Sequence, residues 1–161
     1  MTITKGETKN IPAKNCGKKI VGYYTSWGDD ILKKSTVAKF THIIFTYFEI
    51  EENGKVKLGN PYPSPSSNNA EVRKTSENRL NHLRALKKEI PDLKIIFSVG
   101  GSGNSQYFSK IAADTYLSST FVASILKILN DYQLDGVDID WEHPVLGTAV
   151  AGRGEVSLLI T

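Results

Sequence analysis

A single cysteine, Cys16, stands among 161 residues, so no disulfide can close within the chain. No His/Asp pattern lies near it, and it reads as an inert thiol rather than a nucleophile. Long apolar runs are missing as well: none approaches the roughly 20 residues that a membrane-crossing helix needs, which argues against a membrane partner. Met1 to Lys14 carries lysines but no apolar centre, so it lacks the makeup of a signal peptide. Residues 1–17 read as a disordered lead-in, followed by one domain over 18–161. Excess charge of one sign is scarce too. With 20 Lys+Arg against 17 Asp+Glu, the net charge is +3, too small and too evenly spread to point to nucleic acid. The three histidines, His42, His82 and His143, are scattered and read as structural or solvent-facing. No His/Cys/Asp cluster has metal-ligand spacing, so neither a metal nor a cofactor is expected.

What is present is an ordinary globular composition, 40% hydrophobic and 23% charged, arranged in alternating strand and helix patterns. Ile20 to Thr25 predicts a first strand that runs into an aromatic cluster ending at Trp27. Asp29 and Asp30 suit a helix N-terminus, with Ile31, Leu32, Val37 and Phe40 as its buried side. Thr41 to Ile50 is rich in β-branched and aromatic residues, the composition of a strand covered on both faces. From Glu51 to Asn78 the turn signal Asn53-Gly54 and the prolines Pro61, Pro63 and Pro65 predict a long mobile surface loop. Leu80, Leu83, Leu86 and Ile90 then recur at helical spacing until Pro91 stops them. Leu93 to Val99 is a third strand running into Gly100-Gly101-Ser102-Gly103. Phe121, Ile125, Ile128 and Tyr132 mark another amphipathic helix, with Ser118 or Ser119 as its cap, and Leu134 opens a fourth strand. The order β-α-β-α-β-α-β predicts parallel pairing. On these patterns alone, a doubly wound sheet and the start of a (β/α) barrel both remain open.

The fourth strand carries the chemistry. In Asp135-Gly136-Val137-Asp138-Ile139-Asp140-Trp141-Glu142, alternation puts Asp138, Asp140 and Glu142 on one face and Val137, Ile139 and Trp141 on the other. Three carboxyl groups in a row are costly to withdraw from water, and a strand tolerates them mainly where they have work to do. Two plainer readings compete. A calcium loop of the EF-hand type needs Gly at its sixth position, where His143 stands, and the oily alternation of Val137, Ile139 and Trp141 argues strand rather than open loop; a solvated edge strand is the other. The Gly-rich turn could be read as a phosphate cradle, but it lacks both the Walker lysine and G-x-G-x-x-G spacing.

The octapeptide from Asp135 to Glu142 resembles the D-x-x-D-x-D-x-E signature of glycoside hydrolase family 18, the chitinases and chitinase-like lectins. Ser98-Val99-Gly100-Gly101 resembles that family's S-x-G-G, in the expected order, and the likeness runs from about Lys18 to Pro144. The resemblance implies a parallel (β/α)8 barrel of the TIM type, of which about the first four βα units are present. Unless another chain completes the barrel, both sheet edges are expected to be exposed. It further implies chitin or chitooligosaccharide as substrate and an extracellular setting. Glu142 becomes the general acid and base, Asp140 the residue that holds the substrate's acetamido N–H, and Asp138 the group behind it sharing a proton. Tyr23, Trp27 and Tyr47 match positions that contact substrate, with core aromatics as the competing reading, while Gly100 and Gly101 would admit the sugar close to the backbone.

Ser102 departs from the tryptophan that several relatives place after S-x-G-G. Residues that the family draws from later strands lie outside these four units. The isolated chain is therefore expected to be a poor enzyme. A chitin-binding, lectin-like module without catalysis is the alternative.

Overall fold

The computed structural model describes residues 17–27, 30–59, 69–142 and 155–160, the side chains of 69–74 and 155–160 excepted. The predicted lead-in with Cys16, the prolines 61–65, Asp29 and His143 lie outside the described residues. Six strands, β1 (Val21–Thr25), β2 (His42–Ile50), β3 (Val56–Leu58), β4 (Lys94–Gly100), β5 (Gly136–Glu142) and β6 (Glu155–Ile160), form one sheet. Four helices accompany them: α1 (Lys34–Val37), α2 (Asn69–Glu89), α3 (Phe108–Ala113) and α4 (Thr115–Tyr132). The strand order is β1-β2-β4-β5-β6, with β3 against β2. β1, β2, β4 and β5 are parallel, as the alternating order predicts.

The sheet has two unlike faces because side chains alternate. Tyr24, Ile43, Phe45, Ile95, Phe97, Val99 and Val137 pack on Leu80, Leu83 and Leu86 of α2 and on Ile125 and Ile128 of α4. Ile44, Ile96, Ser98 and Asp138 occupy the other face. The pairing of β2 with β4 slips by one residue between Phe45 and Phe48. That extra residue lets Phe45 and Phe48, three apart, both enter the oily core, and it places Thr46 and Tyr47 together opposite Ser98.

Several elements differ from the sequence pattern. The first helix is a single turn beginning after Lys33, and Ile31, predicted to be buried in it, is 63% exposed. Within the predicted loop over 51–78, Asn53-Gly54 makes a tight turn, Gly54 at φ 82, and β3 returns antiparallel along β2. The helix predicted from Glu77 starts eight residues earlier, at Asn69. α4 is capped by Asp114, whose carboxylate accepts from the Tyr116 and Leu117 amides at 2.8 and 3.0 Å. Ser118 and Ser119 lie inside that helix and donate to the Ile111 and Thr115 carbonyls. After β5 the chain returns as β6, antiparallel, with Ile160 opposite Val137 and Glu155 opposite Glu142. The β5 edge is therefore covered, whereas β1 pairs with β2 alone among the described residues.

The lower end of the sheet is fixed by Asp135, the first acidic residue of the signature. It precedes β5, accepts from the Ile95 amide at 2.7 Å and from Lys87, and forms an ion pair with Lys94 at 3.5 Å. Burial pushes its carboxyl up, but the Lys87 ammonium, the Ile95 amide and the Lys94 charge outweigh this and hold it below its ordinary 3.8. His42, buried beside Thr41 Oγ1 at 2.7 Å, is held below its ordinary value by burial and the Lys19 charge. A carboxyl depressed by folding contributes stability that is present above its unfolded value and lost as pH falls through the folded one. Asp135→Asn is expected to lower the unfolding free energy by about 1–3 kcal/mol at pH 7. In urea titrations at a series of pH values, its difference from the parent chain should shrink once pH drops below 3.8.

Candidate functional site

β5 delivers its carboxylates in a graded environment. Asp138 is 1% exposed, while Asp140 and Glu142, further along the strand, are half-buried. An acid that deep needs hydrogen-bond donors. The β4–β5 register puts Ser98 directly opposite, and Ser98 Oγ donates to Asp138 Oδ2 at 2.8 Å. On the reverse side of β5, Trp141 stacks on Phe108 of α3, with centroids 5.4 Å apart and planes 28° apart. The same strand thus anchors its oily face and presents its acidic one, as its alternation predicts.

Next in register, Gly100 stands opposite Asp140. Its φ is +119°, and a Cβ there would overlap the Asp140 carbonyl oxygen. Gly101, at φ 84, donates its amide to that carbonyl at 2.8 Å. Both glycines of S-x-G-G are therefore pressed against the backbone of the acidic strand.

The aromatic residues come from β1 and β2. Trp27, just past β1, and Tyr47 of β2 stack with centroids 6.2 Å apart at 22°, and both are half-buried. Tyr23 lies on the acidic face of the sheet, in the row Tyr23–Ile44–Ile96–Gly136, and is 61% exposed. None of the three is a fully buried core aromatic; Tyr24 is. The Thr46–Tyr47 peptide is cis. Helix α2 holds the end of β1: buried Arg79 lies 4.4 Å over the Tyr24 ring and donates Nε to the Thr25 carbonyl at 3.0 Å. Ser76 Oγ donates to the Ser26 carbonyl at 3.3 Å, and Thr25 Oγ1 donates to that of Trp27 at 2.7 Å.

The structure thus brings together Asp138 with Ser98, Asp140 with both glycines, and Trp27 with Tyr47. The sequence pattern did not single out Arg79, Ser76, Asn104 or Ser105. A usable signal was there for the last pair, two small polar residues directly after a Gly-rich turn. Among the described residues, no group of three His, Cys, Asp or Glu could hold a metal ion, and no helix is long and apolar enough to cross a membrane.

The model of "Glycosyl hydrolases family 18" matches residues 19–154. Chitinase ChiA of Flavobacterium johnsoniae is 32% identical over 154 residues, covering 81% of this chain and 9% of that protein. Among solved structures, chitinase ChiA74 from Bacillus thuringiensis is 27% identical with a TM-score of 0.65, over 84% of this chain and 29% of the other. Human YKL-39, described as a pseudo-chitinase with retained chitooligosaccharide binding, is 25% identical at a TM-score of 0.59, over 76% of this chain and 32% of its own. The chain spans less than a third of each.

Gly100→Ala is expected to cost roughly 3 kcal/mol, since it adds a left-handed alanine to a steric overlap. Gln106→Ala, at an exposed position in the turn that follows, should stay within about 0.5 kcal/mol. Denaturant unfolding of both variants measures the contrast.

Proposed function

The chain belongs to glycosyl hydrolase family 18, and we propose that it is a chitinase-type hydrolase unit acting on β-1,4-linked N-acetylglucosamine polymers by retaining, substrate-assisted cleavage. The observation that carries this reading is the acidic face of β5, with Asp138, Asp140 and Glu142 in line and the deepest of them satisfied by Ser98. Glu142, at the C-terminal end of the strand, protonates the glycosidic oxygen. The substrate's acetamido carbonyl oxygen then attacks the anomeric carbon, the bond to the leaving sugar breaks, and an oxazolinium ion forms. Asp140 accepts the acetamido N–H and stabilises the charge that develops there. Asp138, buried behind it, shares a proton with Asp140. Water adds to the anomeric carbon as Glu142 takes its proton back, and the starting configuration returns. This places the chemistry at the C-terminal ends of the parallel strands, where barrels of this type work.

The flat faces for the sugar rings come from Trp27 and Tyr47, whose stacked pair borders the strand ends, with Tyr23 exposed on the same sheet face. The chain spans 29% of the related Bacillus chitinase. A second reading, sugar binding without hydrolysis, is favoured by the likeness to a pseudo-chitinase that retains chitooligosaccharide binding.

Product release from a labelled chitotrioside separates the two. Hydrolysis by the chain is expected to fall by at least about 100-fold in Glu142→Gln, and activity surviving intact in that variant would remove Glu142 from its role. A chain silent in hydrolysis that still binds chitooligosaccharide, with affinity lost in Trp27→Ala, is the outcome that favours the binding module.

A further inference from the structure

The turn between β4 and α3 is exposed at Ser102, Gly103 and Gln106, yet two polar residues inside it are buried, Asn104 at 4% and Ser105 at 7% exposure. Small polar side chains in a turn ordinarily face water, and burying them costs free energy unless each group is paired. Both are paired, to different strands. Asn104 Nδ2 donates to the Phe48 carbonyl at 2.9 Å and its Oδ1 accepts the Ile50 amide at 3.2 Å, so it grips the end of β2. Ser105 Oγ accepts the Glu142 amide at 3.1 Å, and its proton lies within reach of the carbonyls of Gly101 at 2.9 Å and Asp140 at 3.2 Å.

The position of the second contact matters. The β4–β5 ladder ends at the pair Gly100–Asp140, two residues short of Glu142. β4 itself ends at that pair, and Ser105 Oγ accepts the Glu142 amide from the turn while bonding to the Gly101 carbonyl. Capping of α3 is the ordinary use of a serine at this place, but the α3 cap position is Tyr107 and no side chain caps it. The hydroxyl links the turn to β5 instead.

We propose that Asn104 and Ser105 are positioning residues that tie the ends of β2 and β5 across β4, and that Ser105 fixes the backbone from which Glu142 reaches the substrate. The consequence for catalysis rests on the reading of Glu142 as proton donor; the restraint on its backbone does not. Adjacent in sequence, the two residues set one spacing: Asn104 fixes the strand that carries Tyr47, and Ser105 fixes the strand that carries Glu142.

Amide hydrogen exchange by NMR tests the restraint directly. In Ser105→Ala, exchange at Glu142 N–H is expected to accelerate by roughly tenfold or more, with the Ile96 and Phe97 amides unchanged. Ser105→Thr, which keeps the hydroxyl, should restore protection. If the alanine variant does not fold, Ser105→Cys, of similar size but a weak acceptor, takes its place with the same expectation. Unchanged exchange at Glu142 in the variant that folds would overturn the proposal. Chitotrioside hydrolysis adds the functional arm: Ser105→Ala should lower kcat by more than it raises KM, with recovery in Ser105→Thr. Full kcat in Ser105→Ala beside lost protection would overturn the catalytic consequence. A parent chain as inactive as Glu142→Gln would remove the hydrolase reading, and the exchange data would still decide whether Ser105 holds the strand.

Discussion

Asp138 is almost wholly withdrawn from water, and what makes that tolerable is the register of β4 against β5, which sets Ser98 Oγ 2.8 Å from its carboxylate. Side chains in a strand alternate, so a slip of one residue would turn Asp138 toward Phe97 and Val99 and send Val137 to the polar side. Every neighbouring feature depends on the same register. Gly100 meets the Asp140 backbone where no Cβ could stand, Trp141 falls onto Phe108, and Glu142 emerges past the last β4 partner.

The two ends of the sheet divide the labour. At the lower end Asp135 gathers Lys87, Lys94 and the Ile95 amide, while buried His42 lies at the start of β2. These contacts bear on stability, since none of them reaches the C-terminal strand ends. At the upper end the acids, the glycines and the aromatic pair converge. Four acidic residues close together in the sequence therefore stand in two different settings, and their separation follows from the roughly 3.3 Å rise per residue along a parallel strand.

Legibility in the sequence followed the strength of the local signal. The parallel strands and the segregated faces of β5 were readable because alternation and β-branched runs are unambiguous there. β3 escaped because three residues, Val56-Lys57-Leu58, are too few to show a period, although Asn53-Gly54 announced the turn before it. The sequence pattern overextends the first helix because Ile31 and Leu32 look like a buried stripe, whereas the single turn that forms leaves Ile31 in water. Asp114 caps α4 where the sequence pattern points to serines that the helix itself absorbs. Among the candidate site residues, the carboxylates and glycines stood out by spacing. Arg79, Ser76, Asn104 and Ser105 act through backbone carbonyls and amides far away in sequence, and no local pattern announces such partners.

The antiparallel return of β6 has a mechanical consequence. Val21 opens β1 and Ile160, opposite Val137, closes β6, so both lie toward the same end of the sheet on its two outer strands. A load applied between those two points would act across the strands. It would open hydrogen bonds singly from one end, as a zipper opens, instead of shearing a whole ladder at once. A fifth strand running parallel to β5 would end at the opposite end of the sheet and bring the ladder into shear, so the direction of one peripheral strand decides whether the fold resists pulling or peels.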